Sequence, residues 1–276
     1  MTPDPPLLIA PGDGENPRRG EYTLKGGREE LVLSEADHRP GVAEPKPHVH
    51  REHCDCFYIL EGELLIHHGD EETLLGEGGF VLAPPNLVHT YRSPEGSVGQ
   101  RFVNIHAPGM GFDDRIRGVQ RDFDQHDPPP DGGRPASDGV ILQAGEGERL
   151  ELGPTARGII KVGAEQGMGS LTVLKLELEA GAPGPPPHLH ERLTDSFFVL
   201  EGTPSVLLGE QTHEAPPGSF ALIPPGNVHT VSNPSNETAR FLNVNAPGGL
   251  SRYLRELAAN PGDFAAIAAR HDVIPA

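Results

Sequence analysis

The chain has few residues of several kinds, and each shortage excludes a class of protein. Of its 276 residues, two are cysteines and none is tryptophan. The two cysteines, Cys54 and Cys56, are too close for an ordinary disulfide, which excludes a disulfide-stapled secreted scaffold. No apolar run approaches the ~20 residues of a membrane-spanning helix, and Met1–Pro6 lacks the basic and apolar stretches of a signal peptide. We therefore expect a cytoplasmic protein that does not bind membranes.

Basic residues are also scarce. The chain has 22 Lys and Arg against 40 Asp and Glu, a formal net charge of -18. Binding to nucleic acid needs clustered basic side chains that displace counterions from phosphates, so nucleic acid is excluded as a partner. A locally positive site can still hold a small anion. The expected partner is therefore a small-molecule substrate.

Glycine and proline, by contrast, are abundant. Thirty-five glycines and thirty prolines separate short apolar runs, a pattern typical of many short strands joined by tight turns. The length suggests about two domains. The composition therefore predicts an all-β protein with two domains.

Two stretches of the chain repeat one pattern. The first reads His48-x-His50-x4-Asp55-x6-Gly62 and is followed by His89. The second copy has His188, His190, Asp195, Gly202 and His229, each 140 residues after its counterpart. The chain is a tandem duplication.

The repeated residues are those that bind metals. Imidazole and carboxylate groups suit Fe, Ni, Co, Mn, Cu or Zn, and two histidines two residues apart on a strand project to one face. The pattern predicts up to two divalent transition metal ions per chain. The predicted ligands are His48, His50, Asp55 and His89 in the first copy and His188, His190, Asp195 and His229 in the second.

A second motif carries a family resemblance. It reads Gly218, Pro224, Gly226, His229, Asn233 in the second copy and Gly78, Pro84, Asn86, His89, Ser93 in the first. Together with the HxH motif, it resembles the cupin superfamily, and more narrowly the two-domain cupins related to quercetin dioxygenase. The resemblance implies two tandem jelly-roll (double-stranded β-helix) barrels. The first copy departs from it at Asn86 and Ser93, and both copies carry Asp where the family has Glu.

The short carboxylate leaves the coordination open. Asp is shorter than Glu by one methylene, roughly 1.5 Å of reach. The carboxylate could bind directly, bind through water, or leave a site of three histidines. In the first copy a thiolate of Cys54 or Cys56 could replace it, whereas Thr194 and Ser196 stand at the matching positions of the second. The alternative is that both thiols are buried packing groups.

Composition shifts predict the domain boundaries. Residues 1–127 form the first cupin domain, residues 128–137 (PPPDGGRPAS) a linker, and residues 138–249 the second domain. Two short helices, Leu250–Ala259 and Asp263–Arg270, are expected in a final segment, 250–276. Such helices cover a barrel or the seam of a homodimer.

The two copies differ beside the predicted metals. Tyr91 and His106 in the first copy correspond to Val231 and Asn245 in the second. A phenol and an extra imidazole could transfer protons in catalysis, or they could simply form hydrogen bonds at the barrel mouth. We take Tyr91 and His106 as candidate catalytic residues of the first site.

The leading hypothesis for function is a metal-dependent dioxygenase that uses O2 and a small oxygen-bearing substrate, flavonol- or enediol-like. The resemblance alone supplies this oxygen chemistry. One alternative enzyme uses the metal as a Lewis acid for isomerisation, cyclisation or decarboxylation. Another alternative is a non-catalytic cupin that binds a small molecule. A storage role is disfavoured because all six histidines are present.

Overall fold

The computed structural model describes residues 3–17, 21–119, 123–130, 135 and 137–276. Most of the regular secondary structure in the described residues consists of antiparallel strands, and three short helices accompany them. The predicted all-β class is confirmed. Half of the predicted linker lies outside the described residues, which omit 131–134 and 136.

The elements of the N-terminal half are, in chain order, β1 (Leu7–Ile9), β2 (Tyr22–Gly27), β3 (Val32–His38), β4 (Cys54–Glu61), β5 (Leu64–His68), β6 (Glu71–Leu75), β7 (Phe80–Ala83), β8 (His89–Arg92), β9 (Gln100–Ala107), α1 (Phe112–Arg117) and β10 (Val140–Leu142). Those of the C-terminal half are β11 (Glu148–Gly153), β12 (Ala156–Val162), β13 (Thr172–Leu178), β14 (His188–Leu189), β15 (Thr194–Glu201), β16 (Ser205–Leu208), β17 (Gln211–Glu214), β18 (Phe220–Ile223), β19 (His229–Ser232), β20 (Ala239–Ala246), α2 (Leu250–Ala259), α3 (Phe264–Ala268) and β21 (Ile274–Pro275).

The first unit comprises the described residues of Gly14–Glu146 together with Gln166–Ser170. Its larger sheet has the order β10-β7-β4-β9-β3-β2, and its smaller sheet the order β6-β5-β8. Alternate residues of the strands point inward, so that Phe57, Ile59, Ile66, Tyr91 and Phe102 form the core between the sheets. This arrangement is the expected jelly roll.

The second unit comprises the described residues 3–13, Gly147–Glu165 and Leu171–Ala276. Its sheets have the orders β1-β18-β15-β20-β13-β12-β11 and β17-β16-β19-β14-β21. Phe197, Val199, Val206, Val231 and Phe241 occupy its core. The registers repeat those of the first unit, since Asp55 lies opposite His106 and Asp195 lies opposite Asn245.

The two units cross the predicted domain boundaries at both ends. Strand β1, in the segment assigned to the first domain, pairs with β18 of the second unit. Strand β10, in the segment assigned to the second domain, pairs with β7 of the first unit. Each added strand covers the free edge of the larger sheet, which would otherwise expose unpaired N–H and C=O groups. The contacts, and not the position of the linker, decide which strand completes which sheet.

The helices pack on the outer faces of the sheets. Tyr253 and Leu254 of α2 and Ile267 of α3 join Leu150, Ile160 and Leu174 in a second apolar cluster, because leucine and tyrosine recur on one face of α2. The expected helices are thus present, with α3 shorter than predicted. Helix α1 was not predicted; its six residues lie between Gly111 and Gly118, both at positive φ (81° and 75°).

No helix in the described ranges combines the length and the apolar character that crossing a bilayer requires.

Candidate metal centres

The fold brings the predicted ligands of the first repeat together. His48 forms an isolated antiparallel bridge with His89, and Asp55 lies on β4 of the larger sheet. The candidate ligand atoms of His48, His50, Asp55 and His89 all lie within 4.8 Å of one another, and all four residues are buried. In the second unit, His188 pairs with His229 on β19. The ligand atoms of His188, His190 and His229 also lie within 4.8 Å of one another.

Backbone carbonyls hold the same nitrogen of all six histidines. Each Nδ1 donates to one backbone oxygen: His48 to Lys46 (2.7 Å), His50 to Asp124 (2.5 Å), His89 to Leu87 (2.9 Å), His188 to Pro186 (2.9 Å), His190 to Asp272, and His229 to Asn227 (3.0 Å). A neutral imidazole with its proton on Nδ1 keeps a lone pair on Nε2. The backbone therefore sets the tautomer that binds a metal through Nε2.

Several of those Nε2 atoms have no other use in the fold. Within the described chain, the Nε2 atoms of His50, His89 and His190 are buried without a hydrogen-bond partner. Buried polar nitrogens are costly unless something satisfies them. A metal ion at the centre of each cluster would do so, and the donor set of imidazole nitrogens with a nearby carboxylate suits a divalent transition metal. The residues present therefore fit the metal that the sequence predicted.

Asp55 is close enough to share the first centre. Its Oδ2 atom lies 3.5 Å from Nε2 of His50 and 3.4 Å from Nε2 of His89. Two ligands each about 2.1 Å from a common ion are about 3.0–3.4 Å apart. Its other oxygen accepts a hydrogen bond from Nδ2 of Asn104 (2.5 Å). One carboxylate oxygen thus faces the histidines while the other is held by the barrel wall.

Asp195 is turned further toward the wall of its barrel. Its Oδ1 atom accepts hydrogen bonds from Asn243 (2.5 Å), Asn245 (2.5 Å) and the N–H of Ser196 (2.8 Å). Its Oδ2 atom lies 3.1 Å from Nε2 of His229 but 3.8 Å from Nε2 of His190. The first centre is therefore a cluster of four candidate ligands, and the second is a three-histidine cluster with a carboxylate at its side.

The departure of the first copy at Asn86 has a backbone explanation. Asn86 and its counterpart Gly226 both adopt the left-handed conformation, with φ of 65° and 83°. Asn is among the non-glycine residues that best tolerate this region. In both copies the N–H of this residue donates to the carbonyl of the second histidine, His50 (2.6 Å) or His190 (2.7 Å). The substitution therefore preserves the turn that supports the ligand.

The pKa values favour metal-ready side chains at neutral pH. Burial, assisted by neighbouring histidines, lowers the pKa of His48 to about 3 and that of His188 to about 4. Burial alone would raise the pKa of Asp55, but His106, His50 and His89 around it hold that pKa well below its usual value. His48 and His188 are thus neutral and Asp55 is charged, which is the state that binds a cation.

The two predicted catalytic residues occupy different surroundings. His106 faces Asp55, with its Nε2 atom 3.5 Å from Oδ1 of Asp55 and 3.1 Å from Oδ1 of Asn104. Tyr91 points inward on β8 as expected, but its hydroxyl lies 3.0 Å from that of Tyr22, and burial raises its pKa well above the usual value. The structure brings His106 to the metal ligands and places Tyr91 in the apolar core.

His53 is a residue that the sequence did not single out. It is fully buried, and its Nε2 atom lies 2.9 Å from Nδ1 of His106. Its Nδ1 atom contacts Oδ2 of Asp124 (3.0 Å). A line of side chains therefore runs from Asp124 through His53 and His106 to Asn104 and Asp55. The repeat analysis missed it because Leu193 stands at the matching position of the second copy.

Both cysteines are buried free thiols. Burial raises the pKa of Cys54 to about 12 and that of Cys56 well above its usual value. Among the described residues, neither belongs to a cluster that could hold a metal. Their surroundings correspond to the packing role and not to a thiolate ligand.

A family model described as "Cupin domain" matches residues 34–105 and 174–245, together more than half of the chain. The chain belongs to the cupin family. Its two copies of the domain make it a bicupin, which agrees with the resemblance carried by its motifs.

Similar proteins extend over most of the bicupin. A quercetin 2,3-dioxygenase of Bacillus subtilis (strain 168) is 26% identical over 298 residues, which cover 91% of this chain and 86% of the relative. Among solved structures, protein Ylba from E. coli has a TM-score of 0.64 at 14% identity, with 89% of this chain and 92% of that chain covered. A mutant of Bacillus subtilis oxalate decarboxylase has a TM-score of 0.60 at 14% identity, covering 100% and 90%. The structural likenesses show the fold alone.

Proposed function

We propose that the bicupin is a metal-dependent dioxygenase acting on a small oxygen-bearing organic molecule, flavonol- or enediol-like. The observation that carries the proposal is the set of six histidines whose Nδ1 atoms are all held by backbone carbonyls while their Nε2 atoms converge. The similarity to a quercetin 2,3-dioxygenase along 91% of the chain supports the choice of reaction.

His48, His50, Asp55 and His89 would hold the first metal, and His188, His190 and His229, with Asp195 beside them, the second. When bound, a redox-capable ion supplies electron transfer between an oxygen-bearing substrate and O2, which no side chain of this site supplies by itself. Fe, Ni, Co, Mn or Cu would fit this role, whereas Zn would favour the Lewis-acid alternative.

The histidines also define the side from which a substrate would approach. The second histidine of each pair is sealed, with His50 and His190 each 1% exposed. The first histidine is more open, since His48 is 6% exposed and His188 is half-buried. A substrate would therefore enter past His48 or His188, while the surrounding barrel keeps bulk water away from the buried ligands.

His106 is the better-placed acid–base helper. It lies beside Asp55 in the first unit, and burial lowers its pKa well below the usual value, so that the imidazole is neutral at neutral pH. An imidazole in hydrogen-bond reach of a reacting hydroxyl contributes typically 10²- to 10⁴-fold to the rate. Asn245 cannot take this role in the second unit, so we assign turnover to the first.

The test is oxygen uptake with quercetin as the probe. Metal-loaded protein should consume one O2 per quercetin, and incorporation of both atoms of ¹⁸O2 should be seen by mass spectrometry. The His48→Ala/His50→Ala double variant should lose this activity, and the His188→Ala/His190→Ala variant should retain it. Turnover of an oxygenated substrate without O2 uptake would instead support Lewis-acid chemistry, and binding without turnover would support a non-catalytic cupin.

Tyr91 needs a separate test because its hydroxyl bonds to Tyr22. Tyr91→Phe and Tyr22→Phe remove the same hydrogen bond from its two ends. If the Tyr91 hydroxyl helps proton transfer, only Tyr91→Phe should lower kcat by about 10² or more. Equal small effects of the two variants would reduce Tyr91 to a core residue.

A further inference from the structure

A second repeat lies outside the 140-residue register. Asp124 and Asp272 follow the barrels of the first and second units and stand 148 residues apart. In each unit this aspartate precedes a short extended segment that pairs with the HxH strand: Val49 bridges His126, and Leu189 pairs with Ile274. His126 and Ile274, the partners in these two pairs, are also 148 residues apart. The two units therefore share a structural element that comes after the barrel.

In the second unit, Asp272 bonds to His190 through its backbone and to the residues after His190 through its side chain. Its backbone carbonyl accepts the Nδ1–H of His190. Its carboxylate accepts the N–H groups of Glu191 (2.9 Å), Arg192 (2.9 Å) and Leu193 (3.1 Å). These are the three residues that directly follow the ligand and lead toward Asp195.

In the first unit, Asp124 makes the equivalent contacts and one more. Its carbonyl accepts the Nδ1–H of His50 (2.5 Å), and its carboxylate accepts the N–H groups of Arg51 (2.9 Å) and Glu52 (2.7 Å). In place of a third backbone donor, the carboxylate meets the His53 ring. Burial would raise the pKa of Asp124, but His53 and these N–H groups lower it, so the carboxylate is charged at neutral pH.

We propose that Asp124 and Asp272 are positioning residues of the two metal centres. Each fixes the loop between the second histidine and the acidic residue through its carboxylate, and each orients that histidine through its carbonyl. The inference rests on the metal centres of the proposed function. It adds two residues, one per unit, that no ligand motif contains.

The geometry explains why the effect reaches the metal. The carbonyl sets the rotation of the imidazole about its side chain, so a shift of Asp272 turns Nε2 of His190 away from the other ligands. The carboxylate bonds stop the loop from moving with it. Groups that bond to the far nitrogen of a ligating histidine typically change metal affinity by 10- to 100-fold when removed. An Asp→Ala variant keeps the carbonyl and removes only the carboxylate that anchors it, so we expect a loss at the lower end of this range, about tenfold.

The experiment measures metal affinity at one centre at a time. The His48→Ala/His50→Ala background isolates the second centre, and the His188→Ala/His190→Ala background isolates the first. Chelator-treated protein is titrated with Co²⁺ in competition with a chromophoric chelator, without substrate. Asp272→Ala should weaken Co²⁺ binding about tenfold in the first background, and Asp124→Ala should do so in the second. Each variant should leave the affinity of the other centre unchanged.

Two exposed aspartates serve as matched controls. Asp263 lies nine residues before Asp272 and makes no cap hydrogen bond with its side chain. Asp70 lies exposed between β5 and β6 of the first unit. Asp263→Ala and Asp70→Ala should leave Co²⁺ affinity unchanged. Asp272→Asn keeps one acceptor oxygen and should lose less affinity than Asp272→Ala.

The thermal midpoint of each metal-free variant is measured as well, so that a loss of affinity caused by lower stability can be distinguished from a loss of positioning. A positioning role predicts that the absorption spectrum of bound Co²⁺ changes with the coordination geometry, even when Co²⁺ saturates the site. Normal Co²⁺ affinity and an unchanged spectrum in Asp272→Ala and Asp124→Ala would overturn the inference, as would an affinity loss equal to that in the control variants. Failure of both parent single-site proteins to bind Co²⁺ would remove the metal centres as well. Normal metal binding without O2 uptake would refute only the proposed reaction.

Discussion

The buried pair His53 and His106 allows a sharp test, because the second unit shows what the barrel does without it. Leu193 and Asn245 take the two positions there. Asn245 donates to Asp195 (2.5 Å), and the backbone of Leu193 donates to Asp272 (3.1 Å). Changing both His53→Leu and His106→Asn converts the first unit to an arrangement that the same chain already folds.

Each single change should lower the free energy of unfolding by more than its share of the loss in the double variant. Two neutral rings can supply hydrogens to two of the three contacts in the line from Asp124 to Asn104. His53→Leu removes one bond to a carboxylate, about 1.5–3 kcal/mol, and leaves Nδ1 of His106 buried without a partner, about 1–3 kcal/mol. Burying the leucine offsets about 1.5–3 kcal/mol. We expect a net loss of about 2 kcal/mol in the free energy of unfolding.

His106→Asn should cost about 1–3 kcal/mol, because Nε2 of His53 then loses its partner and the ring stacked on Phe112 is removed. The double variant satisfies Asp55 as Asn245 satisfies Asp195, and it leaves no orphaned imidazole. The cycle should therefore show a coupling energy of about 1–3 kcal/mol between the two positions.

The assay follows from the composition. The chain has no tryptophan and four tyrosines. Tyr22, Tyr58 and Tyr91 lie in the first unit, so tyrosine fluorescence during urea unfolding reports mainly on that unit. Measurements on metal-free protein keep ligand binding out of the cycle. Additive losses, with a double variant as unstable as the sum of the singles, would refute the idea that the pair acts as one hydrogen-bonded unit.

Three further predictions concern the metal centres and acid. His48→Ala/His50→Ala and His188→Ala/His190→Ala should each remove one metal equivalent, measured by elemental analysis; full metal content in either variant would contradict that ligand pair. Asp55→Ala should weaken Co²⁺ binding more than Asp195→Ala, because only Asp55 lies at ligand distance from two histidines, but less than His89→Ala; equal effects at the two aspartates would count against the distinction. Acid should destabilise the metal-free protein: His48 and His188 have folded pKa values of about 3 and 4, so only the unfolded chain takes up their protons as the pH falls below about 6.5. Between pH 7 and pH 5 the free energy of unfolding should fall by about 2 kcal/mol for His48 and by less for the half-buried His188. His190 partly offsets this fall, because its contact with Asp195 raises its pKa against the effect of burial. Urea unfolding at the two pH values tests the sign, and greater stability at pH 5 would contradict the prediction.

Local spacing predicted the duplication and the histidine clusters, and the resemblance of the motifs to cupins supplied the jelly-roll fold. The HxH pairs, the carboxylates and the later histidines share one offset, and strand alternation places them on the inner face. The different roles of Asp55 and Asp195 were not predictable in this way. They depend on Asn104, Asn243 and Asn245, which lie on a strand about 50 residues further along the chain and meet the carboxylates only in the folded barrel.

The residues that position the ligands were not predicted from the sequence for a similar reason. Asp124 and Asp272 lie at an offset of 148 because the segments that follow the two barrels differ in length. Helix α1 is too short for a helical period to be recognised. The partners of β1 and β10 depend on which sheet edge is free, and short apolar segments carry no signal for that choice.

The strand exchange between the two halves of the chain bears on how such a protein can be taken apart. A cut at residues 128–137 would strip β10 from the edge of β7 in one fragment and leave β1 attached to a fragment that does not need it. Each fragment would expose an unpaired strand edge, which promotes aggregation. A circular permutation that joins β1 to the second half before the halves are separated would keep both of these strand pairs. Although its motifs read as a simple duplication, each unit is completed by a strand from the other half of the chain, so cutting at the linker would not give two complete barrels.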